Sequence, residues 1–264
     1  TGAVSKVPAA DSTLRILEHL AHQRGPVPAQ SIATALELPR SSVYQILTVL
    51  TERGFALHIP EERRYGLGPA AFELSSAYTR QQPLTRLGAP LLAKLVDHIG
   101  ESAHLAVLHG TDVLYVVEER APRRMSLITD VGVRLPAHLT ASGRSMLSAL
   151  PAAQLRALYP DSIVFTQRAG VTAPGPRTYR ELKALVTDAA TQGYAVERGE
   201  ITDGVASVGV VVKDHLGWPA AGIAVTFSSA TLTSAEALQE RIDSLLPEMS
   251  ATAQELSRRI HGAS

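Results

Sequence analysis

Apolar side chains recur at helical spacing in three stretches near the start of the chain. These stretches lie between residues 11 and 23, between 28 and 36, and between 40 and 53. In the third stretch the apolar positions follow the i, i+3, i+4, i+7 pattern of a helix with one buried face; they are Val43, Ile46, Leu47 and Leu50. The pattern predicts three helices, separated by turns at residues 25–26 and 37–39, where glycine and proline interrupt the spacing.

Two short extended runs follow the third predicted helix. They cover residues 55–59 and 64–67, and the intervening residues 60–63 have the composition of a turn, so the sequence predicts a β-hairpin. A further helix is predicted over residues 70–80, and a hinge is expected at residues 81–83, which include a proline.

From about residue 84 onward, helical and extended patterns alternate. A loop rich in glycine and proline is predicted over residues 167–178. Helices are predicted over 87–99, 141–150, 151–158, 179–192 and 234–260, and strands over 102–108, 113–119, 125–129, 194–200, 205–213 and 218–228.

Composition narrows the class of protein. A chain of 264 residues is long enough for two domains, and its 45% hydrophobic and 19% charged residues are typical of globular proteins. Because there is no cysteine, disulfide scaffolds, cysteine-ligated metal sites and cysteine nucleophiles are excluded. Neither a secretory segment nor a membrane span is predicted, so a cytoplasmic protein without a membrane partner is expected.

Three helices followed by a hairpin are typical of a winged helix-turn-helix, in which one helix enters the major groove of DNA. The third helix leaves polar groups and one aromatic on its outer face, with no acidic residue between Leu38 and Thr51. The hairpin carries two arginines at its tip, where a wing meets DNA. We therefore predict DNA contacts from Arg40, Ser41, Ser42, Tyr44, Gln45, Thr48, Arg63 and Arg64.

The charge balance leaves a second interpretation of this region open. The chain has 25 Lys+Arg and 25 Asp+Glu, and residues 1–80 hold eight basic and seven acidic side chains. Many DNA-binding domains are far more basic than this. A three-helix interaction domain with a solvated polar face is therefore the alternative.

Segments spread over nearly the whole chain form one pattern, which comprises residues 32–44, 50–55 and 65–68, then 135–144, 193–208, Asp214, Gly217 and 224–226. In order and spacing, this pattern resembles the IclR family of bacterial transcription regulators. Two positions depart from the family pattern. Gln45 stands where many members have a basic residue, and the usual acidic cluster is reduced to Glu197-Arg198-Gly199-Glu200.

The resemblance implies an α+β protein in three parts. These are an N-terminal winged helix-turn-helix domain (1–69), a linker helix (70–83) and a C-terminal GAF-like mixed α/β effector-binding domain (84–264) built on a mixed sheet. It implies double-stranded operator DNA, a small-molecule effector and further copies of the chain, in a dimer or tetramer, as partners. It places effector contacts at Leu127, Ala141, Ser142, Glu197, Val205, Ser207, Ala224 and Thr226.

The residues themselves also indicate a small-molecule pocket. The helix predicted to begin after Thr140 has free N–H groups that favour an anion such as a carboxylate. Ser207 and Thr226 offer hydroxyls on candidate central strands, and small residues such as Ala224 leave room. We expect a small organic acid or aromatic catabolite, with no metal and no cofactor. Alternatively, Ser142 only caps its helix and Glu197 lies on the surface.

Enzymatic activity is not expected from the motifs. Ser207 is one residue out of register with the G-x-S-x-G elbow, and His138 is expected to be structural rather than catalytic. Neither a zinc-binding H-E-x-x-H motif nor a P-loop occurs. A serine-dependent hydrolase of small esters and a ligand-sensing adaptor without DNA binding are the alternative functions.

Overall fold

The computed structural model describes residues 7–23, 25–74, 83–122, 130–230, 232 and 234–260. The chain divides into two compact units, residues 1–81 and residues 82–264. The described residues of each unit bury a hydrophobic core of their own.

The N-terminal unit packs helices on a small antiparallel sheet with strand order β1-β3-β2. Its elements are α1 (Pro8–Ala21), β1 (Val27–Pro28), α2 (Ala29–Leu36), α3 (Arg40–Glu52), β2 (Ala56–Ile59), β3 (Arg64–Leu67) and a helical segment, α4, over residues 69–74. The three predicted helices and the predicted hairpin are present. The remainder of the predicted linker helix, residues 75–82, lies outside the described residues.

One face of α3 fixes this helix to the rest of the unit. Val43 and Leu47 on α3 are fully buried, as are Ile16 on α1 and Ile32 on α2. The turn before α3 is held in shape by Glu37, which takes a left-handed conformation with φ of 54° and ends α2. Because the packed face is fully used, the opposite face of α3 remains exposed to solvent.

The C-terminal unit is built on a six-stranded sheet with strand order β6-β5-β4-β9-β8-β7. Its helices are α5 (Pro83–Ile99), α6 (Ala141–Leu147), α7 (Ala152–Leu158), α8 (Tyr179–Gln192) and α9 (Ala235–Ile260). Its strands are β4 (Ser102–His109), β5 (Asp112–Glu119), β6 (Arg134–Pro136), β7 (Ala195–Arg198), β8 (Val205–Lys213) and β9 (Pro219–Ser228).

Helices cover both faces of this sheet. Alternate residues such as Leu105, Val208 and Ile223 face α5 and α9 and form the larger core. The intervening residues face α6, α7 and α8, whose buried side chains include Met146 and Leu182. Because side chains alternate between the two faces of each strand, the strands contribute to two hydrophobic cores, one on each face of the sheet. A cavity lies on the face covered by α6.

Two glycines allow α6 to lie directly on the sheet. A Cβ at Gly209 on β8 would come within 2.4 Å of the Ala141 carbonyl carbon, and one at Gly222 on β9 within 2.6 Å of the Ser142 carbonyl oxygen. Real Cβ atoms do not approach backbone atoms so closely, so only glycine lets the first turn of α6 approach here. This contact closes one end of a cavity.

Several details differ from the expectations. All neighbouring strands in the described sheet are antiparallel, so the expected mixed sheet is wrong. β1 and β6 were not predicted, because strands of two and three residues are too short to show alternation. Helix α1 begins at Pro8, three residues before the expected start, because proline is favoured in the first helical turn. The strand predicted at residues 125–129 lies outside the described residues.

No helix in the described part of the chain is long and apolar enough to cross a membrane.

Candidate functional site

The outer face of α3 is a polar surface. Its side chains Arg40, Ser41, Tyr44, Gln45 and Thr48 are exposed, and Ser42 is half-buried. The Thr48 hydroxyl donates to the Tyr44 carbonyl at 2.9 Å, which leaves its oxygen able to accept. The predicted DNA-contacting residues of α3 therefore share one solvent-facing side.

Arg63 and Arg64 lie at the tip of the β2–β3 hairpin, as predicted, and both are exposed. Arg63 has a φ of 52°, a turn conformation that lets the chain reverse between the strands. Arg64 lies beside Glu62, with Nε 3.9 Å from the carboxylate oxygen. An exposed pair at this distance is weak, so the Arg64 guanidinium can exchange it for a phosphate.

A cavity lies between the first turn of α6 and the sheet. The cavity has a volume of about 30 Å³. The space empty of atoms is about 420 Å³ when the open mouth is included. Its lining consists of His104, Tyr115, Thr140, Ala141, Ser142, Glu197, Ile201, Thr202, Val205, Ser207, Ala224 and Thr226. Most of these side chains are polar, so the cavity suits a small ligand with several hydrogen-bonding atoms.

A row of three polar side chains crosses the cavity floor. Glu197 on β7 pairs in register with Ser207 on β8, which pairs with Thr226 on β9. The Ser207 and Thr226 hydroxyl oxygens are 3.0 Å apart. Residues in register on antiparallel strands share a face, so the strand pairing brings these groups together.

Glu197 is a buried carboxyl group, with only 2% of the residue exposed. Its Oε1 accepts a hydrogen bond from the Ile201 N–H at 3.0 Å. Burial raises the pKa of Glu197 to about 7, against the lowering effect of that bond, and the nearby Glu200 raises it further. Glu197 therefore lies where the IclR resemblance expects it, in the cavity lining. The alternative that it lies on the surface does not agree with its burial.

Arg144 on α6 lies near the Glu197 carboxyl group, but its guanidinium donates to three other acceptors. The Arg144 side chain donates from Nε to the His138 carbonyl at 2.8 Å and from its two terminal nitrogens to the Val196 carbonyl and to Glu200, each at 2.7 Å. Its charge therefore pairs with Glu200, and its lowering effect on the Glu197 pKa is the smallest of those acting on that group.

The start of α6 supplies polar groups to the cavity. Thr140 caps the helix, and its Oγ1 accepts from the Gly143 N–H at 3.0 Å. Ser142 is fully buried, and within the described part of the chain its hydroxyl makes no hydrogen bond. The cap is thus Thr140 rather than Ser142, and a buried hydroxyl without a partner is a group that a ligand can satisfy.

Family models match both units. The model described as "IclR helix-turn-helix domain" matches residues 9–58, and the one described as "Bacterial transcriptional regulator IclR C-terminal" matches residues 76–258. The chain belongs to the IclR family. It is thus a transcription regulator with a helix-turn-helix DNA-binding domain and a C-terminal effector-binding domain.

Individual IclR-family proteins agree with this assignment. The Pca regulon regulatory protein of Pseudomonas putida is 28% identical over 94% of this chain and 82% of its own length. The crystal structure of the IclR of Thermotoga maritima is 25% identical, covers 96% of this chain and 98% of its own, and superposes with a TM-score of 0.70. An IclR homologue from Microbacterium hydrocarbonoxydans, solved with 4-hydroxybenzoate, is 21% identical and covers 97% of this chain and all of its own, with a TM-score of 0.76.

Seven of the eight residues that the IclR resemblance placed at the effector line the cavity. Leu127 is the exception, because it lies outside the described residues. Five further lining residues were not predicted from the sequence: His104, Tyr115, Thr140, Ile201 and Thr202. For His104 a signal existed, because it is the one polar residue between Ala103 and Leu108 on β4, but its register opposite Ala224 follows only from the fold.

Two features disfavour a hydrolase that pairs Ser207 with His138. The Ser207 hydroxyl pairs with the Thr226 hydroxyl, which cannot act as a general base. His138 does not line the cavity, is fully buried, and has its Nε2 2.9 Å from the Thr166 carbonyl oxygen. Burial lowers the pKa of His138, so this imidazole is neutral.

Proposed function

We propose that this IclR-family regulator binds its operator through α3 and the β2–β3 hairpin, and senses a small carboxylate in the cavity beside α6. Residues 1–69 would bind DNA, residues 70–83 would link the units, and residues 84–264 would bind the effector. The observation that supports the sensing part is the cavity itself, because seven of the positions that the IclR resemblance placed at the effector line one small polar space.

The predicted DNA contacts divide into two kinds. Arg40, Tyr44 and Gln45 project from α3 and have the length to reach base edges in a major groove. Serine and threonine on the same face, together with the hairpin arginines, suit phosphate contacts. We infer a dimer or tetramer, because two half-sites require two copies of α3 at a fixed spacing.

The cavity chemistry supports an organic acid as effector. Ser142, Ser207, Thr226 and Tyr115 offer hydroxyls to an anion placed in the cavity. A carboxylate with few carbons fits the small free volume, and a ring requires the cavity to widen. The 4-hydroxybenzoate of the Microbacterium hydrocarbonoxydans homologue belongs to the same chemical class. We propose that the protein is cytoplasmic and acts by binding, without enzymatic turnover.

Fluorescence anisotropy tests this proposal directly. The protein is titrated against DNA from upstream of its own gene and against scrambled DNA at several salt concentrations. We expect specific binding stronger by about a thousandfold or more, weakening as salt rises. Equal binding to both sequences would favour the adaptor interpretation, and turnover of a small ester would favour the hydrolase.

Arg40→Ala is expected to weaken operator binding by about 5- to 150-fold, the loss typical of one base-reading or phosphate-contacting arginine. Effector affinity, measured by calorimetry, should not change. Arg134→Ala, which removes an exposed arginine from β6 in the other unit, is the matched control and should bind operator normally. Equal losses in both variants would contradict the assignment of α3 as the reading helix.

Ser207→Leu is expected to abolish effector-dependent release of operator DNA while operator binding persists. The larger side chain fills the free space of the cavity floor, at a stability cost of about 1–3 kcal/mol. Circular dichroism confirms that the variant is folded. Ser207→Ala, which removes the hydroxyl without filling the space, separates a lost hydrogen bond from a blocked cavity. Normal release by Ser207→Leu would place the effector elsewhere.

A further inference from the structure

The cavity poses an electrostatic problem for an acidic effector. Glu197 is one of its walls and is almost completely buried. Two carboxylates in contact in a site of low dielectric repel strongly, and neighbouring carboxyls in proteins therefore share a proton instead of both ionising. An anionic effector at Ser207 and Thr226 would lie beside Glu197, because the three residues are consecutive in the cross-strand row.

The basic side chains beside Glu197 and in the cavity lining contact other acids. Arg144 on α6 is paired with Glu200 at 2.7 Å. His104 on β4 has its Nε2 3.7 Å from Glu118 on β5, with both side chains buried. Tyr115 on β5 also faces the cavity, and burial raises its pKa, so the phenol is neutral. The remaining polar neighbours are hydroxyls and the Ile201 N–H.

We propose that Glu197 is a specificity-determining residue that carries a proton in the complex, and that this proton is shared with the carboxylate of the effector. The inference rests on the proposed function, since it concerns the same cavity. The proton comes from solvent when Glu197 is ionised beforehand, and it returns to solvent on release. Binding of one monocarboxylate is therefore accompanied by uptake of up to one proton.

The direction of the pH dependence follows from the state of the empty site. Burial raises the pKa of Glu197 to about 7. Below that pH the Glu197 carboxyl group already holds its proton, and an anion binds without the free-energy cost of protonating it. Above it, each bound anion must bring a proton with it, so affinity falls as pH rises. A cationic effector would pair with ionised Glu197 and show the opposite slope.

Calorimetry of the full chain, without DNA, tests the proposal. The probes are acetate, benzoate and 4-hydroxybenzoate, measured at pH 6 and pH 8 in buffers of different ionisation enthalpy. We expect the Kd of a binding probe to rise about tenfold between pH 6 and pH 8, with uptake approaching one proton at pH 8. Proton uptake is read on the wild-type protein, so this result does not depend on any variant folding.

Glu197→Gln should bind the same probe with a Kd that does not change between pH 6 and pH 8, because the carboxamide donates at every pH. Glu248→Gln, an exposed replacement on α9, is the matched control and should keep the wild-type pH dependence. A pH-independent Kd in the wild type, a slope of opposite sign, an unchanged slope in Glu197→Gln, or no binding of any probe at pH 6 would each overturn the inference. The proposed function fails separately, when the protein does not distinguish its operator from scrambled DNA.

Discussion

Replacing Arg144 with methionine is expected to lower the free energy of unfolding of the C-terminal unit by about 3–5 kcal/mol, the usual cost of removing one partner from a buried ion pair. Arg144 is only 3% exposed and donates to three acceptors. Methionine fills much of the volume but removes the Arg144 donor from the His138 and Val196 carbonyls and leaves the Glu200 carboxylate with only the Arg198 N–H.

Urea unfolding followed by tryptophan fluorescence measures this effect, because Trp218, the single tryptophan of the chain, lies in the C-terminal unit. The double variant Arg144→Met/Glu200→Gln should recover part of the loss, since it also removes the unpaired charge. Arg258→Ala breaks an exposed pair with Glu255 and should leave stability unchanged. A loss no greater in Arg144→Met than in Arg258→Ala would contradict the structural importance of the buried pair.

Arg144 also connects stability to the effector cavity. Its bonds to Val196 and Glu200 hold β7 and the segment that follows it. The same segment carries Ile201 and Thr202 into the cavity lining. We therefore attribute to Arg144 a role in keeping the cavity closed on that side.

Helix boundaries were predicted best where the local sequence specifies both ends. Helix α8 spans Tyr179–Gln192, as predicted, and its ends explain the agreement. Thr178 and Glu181 form a reciprocal capping box at the start, and Gly193, with a φ of 86°, ends the helix in the left-handed conformation. Periodicity similarly sufficed for α3, whose predicted apolar positions Val43, Leu47 and Leu50 are buried.

Strand order and register could not be predicted from the sequence. β4 lies between β5 and β9, and β9 comes more than a hundred residues later in the chain. Periodicity identifies the buried face of each strand but carries no information about its neighbour. His104 and Tyr115 were missed as cavity residues for this reason, although both strands that carry them were predicted.

The charge state of Glu197 is a further property that required the fold. From the sequence alone, a surface position for this residue was an open alternative. Its pKa depends on burial between β8, the first turn of α6 and the segment that contains Ile201. Some of these elements are distant from Glu197 in the sequence, and the register of the strands is not defined before the chain folds.

Gly209→Ala is expected to destabilise the C-terminal unit by about 3 kcal/mol or more, at the upper end of the cost of overpacking a core. The added Cβ would lie 2.4 Å from both the carbonyl carbon and the carbonyl oxygen of Ala141, and 2.8 Å from the Ser142 nitrogen. These atoms are backbone and cannot rotate away, so the first turn of α6 has to shift from the sheet. Urea unfolding followed by Trp218 fluorescence measures the loss.

Gly25→Ala is the control for adding a methyl group without a clash, because a Cβ at Gly25 meets no atom within 4 Å; its unfolding is followed by circular dichroism, since Gly25 lies in the N-terminal unit. The same methyl group is added there without a clash, so we expect little change in stability. Gly222→Ala, on the neighbouring strand, should resemble Gly209→Ala, since its Cβ would lie 2.6 Å from the Ser142 carbonyl oxygen. A loss below about 1 kcal/mol in Gly209→Ala would mean that α6 can move at little cost.

The outcome for Gly209→Ala also bears on sensing. Because α6 rests on Gly209 and Gly222, any shift of its first turn moves Ala141 and Ser142 relative to Ser207 and Thr226 on the cavity floor. We therefore expect effector affinity to fall in Gly209→Ala even at a temperature where the variant remains folded. Operator binding by residues 1–69 should persist under the same conditions, because the substitution lies in the other compact unit. Loss of effector binding with retained operator binding would attribute the effect to the geometry of the cavity rather than to unfolding.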